Sequence, residues 1–173
     1  MTTTNRPVRR ATALLALSLA ASTLPGAGRC AADDTSPIRA YYNFVYGISA
    51  GRPDLALEQF ADDAVVVAGP SCTQADPCVG KAAIRNGYFA ALAAGRVQLP
   101  VRDQRFDGQQ LRTRGETIVQ DEPREGVVRL RGGHVFGFRE GRIASLHVEF
   151  DTRDKETAAF VARHAAKAAI ARR

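Results

Sequence analysis

Alternation between apolar and polar side chains is strongest late in the chain. From Val128 to Phe138 one set reads Val128, Leu130, Gly132, His134, Phe136, Phe138, and the interleaved set reads Arg129, Arg131, Gly133, Val135, Gly137. A period of two puts the first set on one face of a strand and the second on the other. His134 is therefore an ionisable side chain among inward residues. Glu140-Gly141 makes a hairpin turn, and the return strand RIASLHVEF alternates again, with Leu146, Val148 and Phe150 on the apolar side and Ser145, His147 and Glu149 opposite.

Earlier in the chain the period lengthens to that of a helix. Ser36-Pro37 opens the first one, because a hydroxyl residue precedes a proline at the position where a missing N–H does no harm. Tyr41, Phe44, Val45 and Ile48 share one face and Gly51 closes it. These side chains serve either as plain core or as the wall of a ligand site. Pro53 opens a second, shorter helix over PDLALEQF. Ala64–Ala68 is a β-branched run that suits a buried strand, ended by Gly69-Pro70, and Asp62-Asp63 before it reads as a turn. From Lys81 onwards, Ile84, Tyr88 and Leu92 recur at four-residue spacing on a third helix stopped by Gly95.

The weaker β signals are Gln98–Phe106, polar enough for an exposed strand, and Glu116–Gln120, with Gly108 and Gly115 as punctuation. After the hairpin, Asp151 or Asp154 can cap a final alanine-rich helix whose large apolar groups are Phe160, Val161 and Ile170. So few large groups predict a loosely packed or fraying tail.

The first thirty-two residues follow neither period. Arg6, Arg9 and Arg10 precede the uncharged run ATALLALSLAAST, and small residues lead to Cys30-Ala31-Ala32 ahead of Asp33 and Asp34. That order is the pattern of a secretory signal peptide over residues 1–32, too short to span a bilayer. The chain is therefore expected to be exported, periplasmic or secreted, with cleavage after Ala32. Lipidation of Cys30 is the weaker alternative because Arg29 directly precedes it, and Arg9-Arg10 leaves twin-arginine export open. Four arginines leave with the segment, so the formal net charge falls from +6 to +2. The high pI then carries no argument for nucleic-acid binding. Cys72 and Cys78 remain, separated by the turn-rich TQADP. An even number of cysteines in an exported chain points to a disulfide that shapes this loop. A metal or redox site would want a histidine partner or CxxC spacing, and neither accompanies them.

Helix, helix, strand, helix and then a run of antiparallel strands is an α+β order: a cone-shaped curved sheet wrapped around three N-terminal helices, plus a C-terminal helix. Through YYNFVYGISAGRPD, LEQFADDAVVV, GKAAIRNGYFAAL and HVFGFREGRIASLHVEF, the chain resembles the nuclear transport factor 2-like superfamily, with its SnoaL-like and ketosteroid-isomerase-like domains. The resemblance implies a cone domain over 33–152 with a helical tail over 153–173. It also implies a small, largely apolar ligand in the open end and a homodimer through the outer sheet face, and it implies no cofactor. Carried across, the oxyanion-hole tyrosine of ketosteroid isomerase falls on Phe44, its aspartate base on Ala68 and its protonated aspartate on His134; the supporting tyrosine is kept as Tyr88. A steroid isomerase of that mechanism is not expected.

What is expected is a domain that binds a small apolar molecule in a pocket lined by Tyr41, Phe44, Ile48, Tyr88, Phe136 and Phe150, without metal, nucleic acid or membrane span. One alternative is an isomerase, cyclase or hydrolase in which His134 exchanges a proton with the ligand and Tyr88 hydrogen-bonds to it. The plainer account of His134 is a buried neutral ring satisfied within the core. Another alternative is an interaction module using Arg129, Arg131, His147 and Glu149 on the outer sheet face. No phosphate loop, nucleophile elbow or HExxH is present.

Overall fold

A computed structural model describes residues 36–92, 96–121 and 126–171, with the side chains of 121 and 166–171 left aside. The signal segment, Cys30 and Gly95 lie outside the described residues. Helix α1 (Pro37–Ser49) starts with Ser36 at the N-cap and Pro37 in its first turn, though the Ser36 hydroxyl makes no capping bond. Gly51, at φ 66°, follows its end, in the left-handed conformation that glycine adopts without strain. Helix α2 (Pro53–Glu58) packs so closely on α1 that a Cβ on Gly47 would stand 2.7 Å from the backbone nitrogen of Ala56.

Strand β1 (Phe60–Val67) begins four residues earlier than the β-branched run suggests, so Asp62 and Asp63 belong to a strand and not to a turn. Both are exposed; Asp62 pairs with Lys81 at 2.9 Å and Asp63 with Arg139. An irregularity in the pairing between Phe60 and Val65 accommodates the two acids. After β2 (Cys78–Val79) the third helix is not uniform. It runs as α3 (Gly80–Ile84), widens into a π-helical turn (Arg85–Phe89) and finishes as α4 (Ala90–Leu92).

The remaining strands are β3 (Arg96–Gln98), β4 (Val101–Phe106), β5 (Gln110–Asp121), β6 (Gly126–Arg139) and β7 (Arg142–Phe150). They form one seven-stranded sheet in the order β2-β1-β7-β6-β5-β3, with β4 also on β5. The fold is the α+β arrangement that the order of elements predicts. Every pairing is antiparallel except β1 with β7, which is parallel. Gly115 does not interrupt the chain; it sits within β5 opposite Gly132. A Cβ on Gly115 would lie 2.3 Å from the Pro100 carbonyl oxygen, and one on Gly132 2.0 Å from that of Glu149. The paired glycines let neighbouring backbones come this close.

Aromatic edges fill the interior between α1 and the sheet. Phe44 meets Phe136 at 5.4 Å and Phe60 at 5.8 Å between ring centroids, edge to face, and all three are fully buried. Such contacts add to the transfer free energy of the rings.

Helix α5 (Lys155–Ala171) docks on the sheet instead of fraying from its start. β7 reaches only Phe150 opposite Gly132, so the earlier part of β6 lacks β7 as a neighbour. The first turn of α5 takes its place: Arg131 N–H donates to Thr157 Oγ1 at 2.9 Å and Arg129 N–H to Glu156 Oε1 at 3.3 Å. Asp154 caps the helix, accepting from Thr157 N–H at 2.9 Å and from the Thr157 hydroxyl at 2.8 Å. Thr157 is entirely buried.

Candidate functional site

The inner face of the sheet, the π-helical turn and α5 surround a cavity of about 130 Å³. Ala68, just past β1, and the following Gly69 and Pro70 form one side; Tyr88, Ala91 and Leu92 come from the π turn and α4. Thr117 and Val119 of β5, Leu130 and His134 of β6, and Val148 and Phe150 of β7 make the floor, and Phe160 and His164 of α5 the cover. The lining is predominantly apolar with a few polar groups, as small-molecule sites are.

His134 stands on β6 between Thr113 of β5 and Val148 of β7. Its Nδ1 lies 3.3 Å from the Thr113 hydroxyl, which is buried and has no other side-chain partner among the described residues. A buried hydroxyl hydrogen needs an acceptor. Nδ1 is the available one, so Thr113 donates to Nδ1 and the ring hydrogen sits on Nε2. Protein encloses the ring except where it meets the cavity, and this burial pushes its pKa from 6.5 down to about 4. The imidazole is therefore neutral at neutral pH.

Tyr88 enters the cavity from the π turn, a local widening of a kind common at functional sites. Burial raises its phenol well above the ordinary value, so it stays protonated. Among the described residues no side-chain polar atom is both fully enclosed and without a partner. The Tyr88 hydroxyl, which has no such partner, therefore keeps contact with open space. Behind the turn, Cys72 and Cys78 form the expected disulfide. It lies against Gly87 and closes the loop that begins with Gly69 and Pro70.

Of the residues named from sequence, the structure brings Tyr88, His134 and Phe150 together around this cavity. Tyr41, Phe44, Ile48 and Phe136 lie instead in the aromatic core. There Tyr41 accepts a hydrogen bond from Gln104 Nε2 at 3.3 Å, and burial pushes its pKa up to about 12. Phe160 and His164 were not anticipated; their i, i+4 spacing on one helix face was the available signal. Arg129, Arg131, His147 and Glu149 are exposed on the outer sheet face. Among the described residues no group of three or more His, Cys, Asp or Glu could hold a metal ion. No described helix is long and apolar enough to cross a membrane.

A curved sheet that shelters an apolar cavity beside its helices defines a class, and the family model of the SnoaL-like domain matches residues 38–146, more than half of the chain. The chain belongs to the SnoaL-like domain family. Its fold is shared with the Delta 5-3-ketosteroid isomerase from Mycobacterium sp., at 19% identity and a TM-score of 0.60, covering 68% of this chain and 95% of that one. It is shared with a Mycobacterium tuberculosis protein in complex with estradiol-17beta-hemisuccinate, at 16% identity and a TM-score of 0.58, covering 65% and 92%. The epoxide hydrolase/cyclase-like enzyme SalBIII, of pyran ring formation in polyether salinomycin, is similar at 20% identity and a TM-score of 0.59, covering 68% and 92%. At these identities the likeness is one of fold. No curated protein sequence matches the chain. Of the four positions on which the resemblance places ketosteroid isomerase groups, Ala68, Tyr88 and His134 line the cavity and Phe44 lies in the core.

Proposed function

We propose that this chain binds a small, largely apolar ligand in the cavity covered by α5, with His134 and Tyr88 as its polar contacts. The observation that carries the reading is an apolar space onto which two uncharged hydrogen-bonding side chains open. Close-packed interiors leave few such voids, and an apolar cavity of roughly 150 Å³ is known to take up benzene. Structural neighbours that hold a steroid derivative, isomerise ketosteroids or act in ring formation support it at the level of the fold. A pKa near 4 makes His134 a weak proton acceptor at neutral pH, which favours binding over acid–base turnover.

Thermal denaturation with a panel of one- and two-ring apolar compounds tests this. Stabilisers should exist for the wild type, and Leu130→Phe, which fills the cavity, should lose their effect while remaining folded. A panel with no stabiliser would overturn the proposal. We also propose that the chain is exported, a reading supported by its disulfide, since such bonds persist in oxidising compartments. Intact mass of the purified exported protein should place Asp33 at its N-terminus.

A further inference from the structure

His164 reaches the cavity from α5 with its tautomer set by a neighbour. Its Nδ1 lies 3.0 Å from the carbonyl oxygen of Phe160. A carbonyl only accepts, so Nδ1 carries the hydrogen, and in the neutral ring Nε2 keeps a lone pair. Stacking on Phe160, at 3.9 Å between centroids and 29° between planes, fixes the ring. His134 is in the opposite state, with its hydrogen on Nε2 because Nδ1 accepts from Thr113. One cavity thus offers an acceptor on α5 and donors on β6 and the π turn. Its volume of about 130 Å³ is that of a site for a single ring, and well below the roughly 300 Å³ at which pockets for drug-sized ligands begin.

We propose that His164 is the specificity-determining contact of this site: its Nε2 accepts the hydroxyl hydrogen of a single-ring phenol whose ring lies among Leu130, Val148, Phe150 and Phe160. The inference rests on the reading that the cavity binds a ligand. A polycyclic body exceeds the space while α5 stays docked. The apolar cover on α5 would serve any ring; the lone pair of His164 selects one that brings a hydrogen to donate.

Isothermal titration with phenol and with anisole, which has the same ring and oxygen but no hydroxyl hydrogen, decides the matter. His164→Phe keeps the stack and loses the acceptor, so the phenol-to-anisole affinity ratio should fall about tenfold from the wild type, the effect of one hydrogen bond. His164→Gln, whose amide oxygen accepts, should keep that ratio within about threefold. Should His164→Phe not fold by near-ultraviolet circular dichroism, His164→Leu gives the same comparison. An unchanged ratio in the Phe or Leu variant overturns the role of His164 while leaving the ligand site standing. Failure of the wild type to bind either probe while the apolar panel still yields a stabiliser overturns the phenol assignment and the role of His164 with it; a panel without any stabiliser removes the ligand site itself.

Discussion

Gly87 faces Cys78 across a gap that admits no side chain: a Cβ on Gly87 would stand 2.5 Å from Sγ of Cys78 and 3.1 Å from Sγ of Cys72. The disulfide therefore packs on the backbone of the π-helical turn, one residue before Tyr88. Two stretches that are separate in sequence, the loop beginning at Gly69 and the turn carrying Tyr88, become one wall of the cavity.

Gly87→Ala should destabilise the protein by about 1–3 kcal/mol through overpacking, although alanine is the better helix former. Urea denaturation of the single variant and of the same change in a Cys72→Ala/Cys78→Ala background measures the coupling. A penalty of the same size without the sulfurs would assign it to some other contact.

Thr157→Val keeps the shape of the side chain and removes the oxygen that receives the Arg131 N–H and bonds Asp154. Leaving a buried N–H without a partner costs about 1–3 kcal/mol. Thr157→Ser should recover most of it. The loss should appear first in hydrogen exchange at Arg131 and in the opening turn of α5; a destabilisation that spares both would detach the helix from this account.

Acid sensitivity follows from His134, whose pKa is about 4 in the folded chain against 6.5 ordinarily. Between these values the unfolded chain binds more protons, so stability rises with pH. The contribution is complete above about pH 6.5 and is lost on descent towards pH 4, by up to about 3 kcal/mol. Asp154, held below its ordinary 3.8 first of all by the Thr157 N–H, acts in a separate window at still lower pH. Urea unfolding at pH 7.5, 5.5 and 4.5 should show the slope in the wild type and a flatter one in His134→Gln; equal slopes would remove His134 from the explanation.

Gly132→Ala would place a Cβ 2.0 Å from the Glu149 carbonyl oxygen, where backbone and not a flexible side chain must yield. The expected loss is about 3 kcal/mol or more, with disrupted pairing of β6 and β7. A folded variant of wild-type stability would mean that the strands separate here easily.

The sheet was legible wherever the period of two was clean. Leu130, His134, Val148 and Phe150 face inward because the alternation through β6 and β7 leaves them no other choice. Asp62 and Asp63 misled because a local preference for turns was overridden by pairing of β1 along the sheet. Sequence pattern finds an apolar face but not whether a space lies above it, and so Tyr41, Phe44, Ile48 and Phe136 could not be told apart from cavity residues. The first three share a helix face, and edge-to-face contacts with Phe136 and Phe60 close that region. His164 stayed hidden because its role depends on docking of α5, which rests on Thr157 and Glu156 completing a ladder that β7 leaves unfinished.

That early stop of β7 separates the vessel from its stopper. Because the walls are built before residue 151 and the cover after it, trimming or exchanging a single helix could widen the chamber while the aromatic interior stays whole. Capacity is thus set by a helix laid over an aromatic interior that other elements build, and altering it draws on stability through the bonds that Glu156 and Thr157 make to β6.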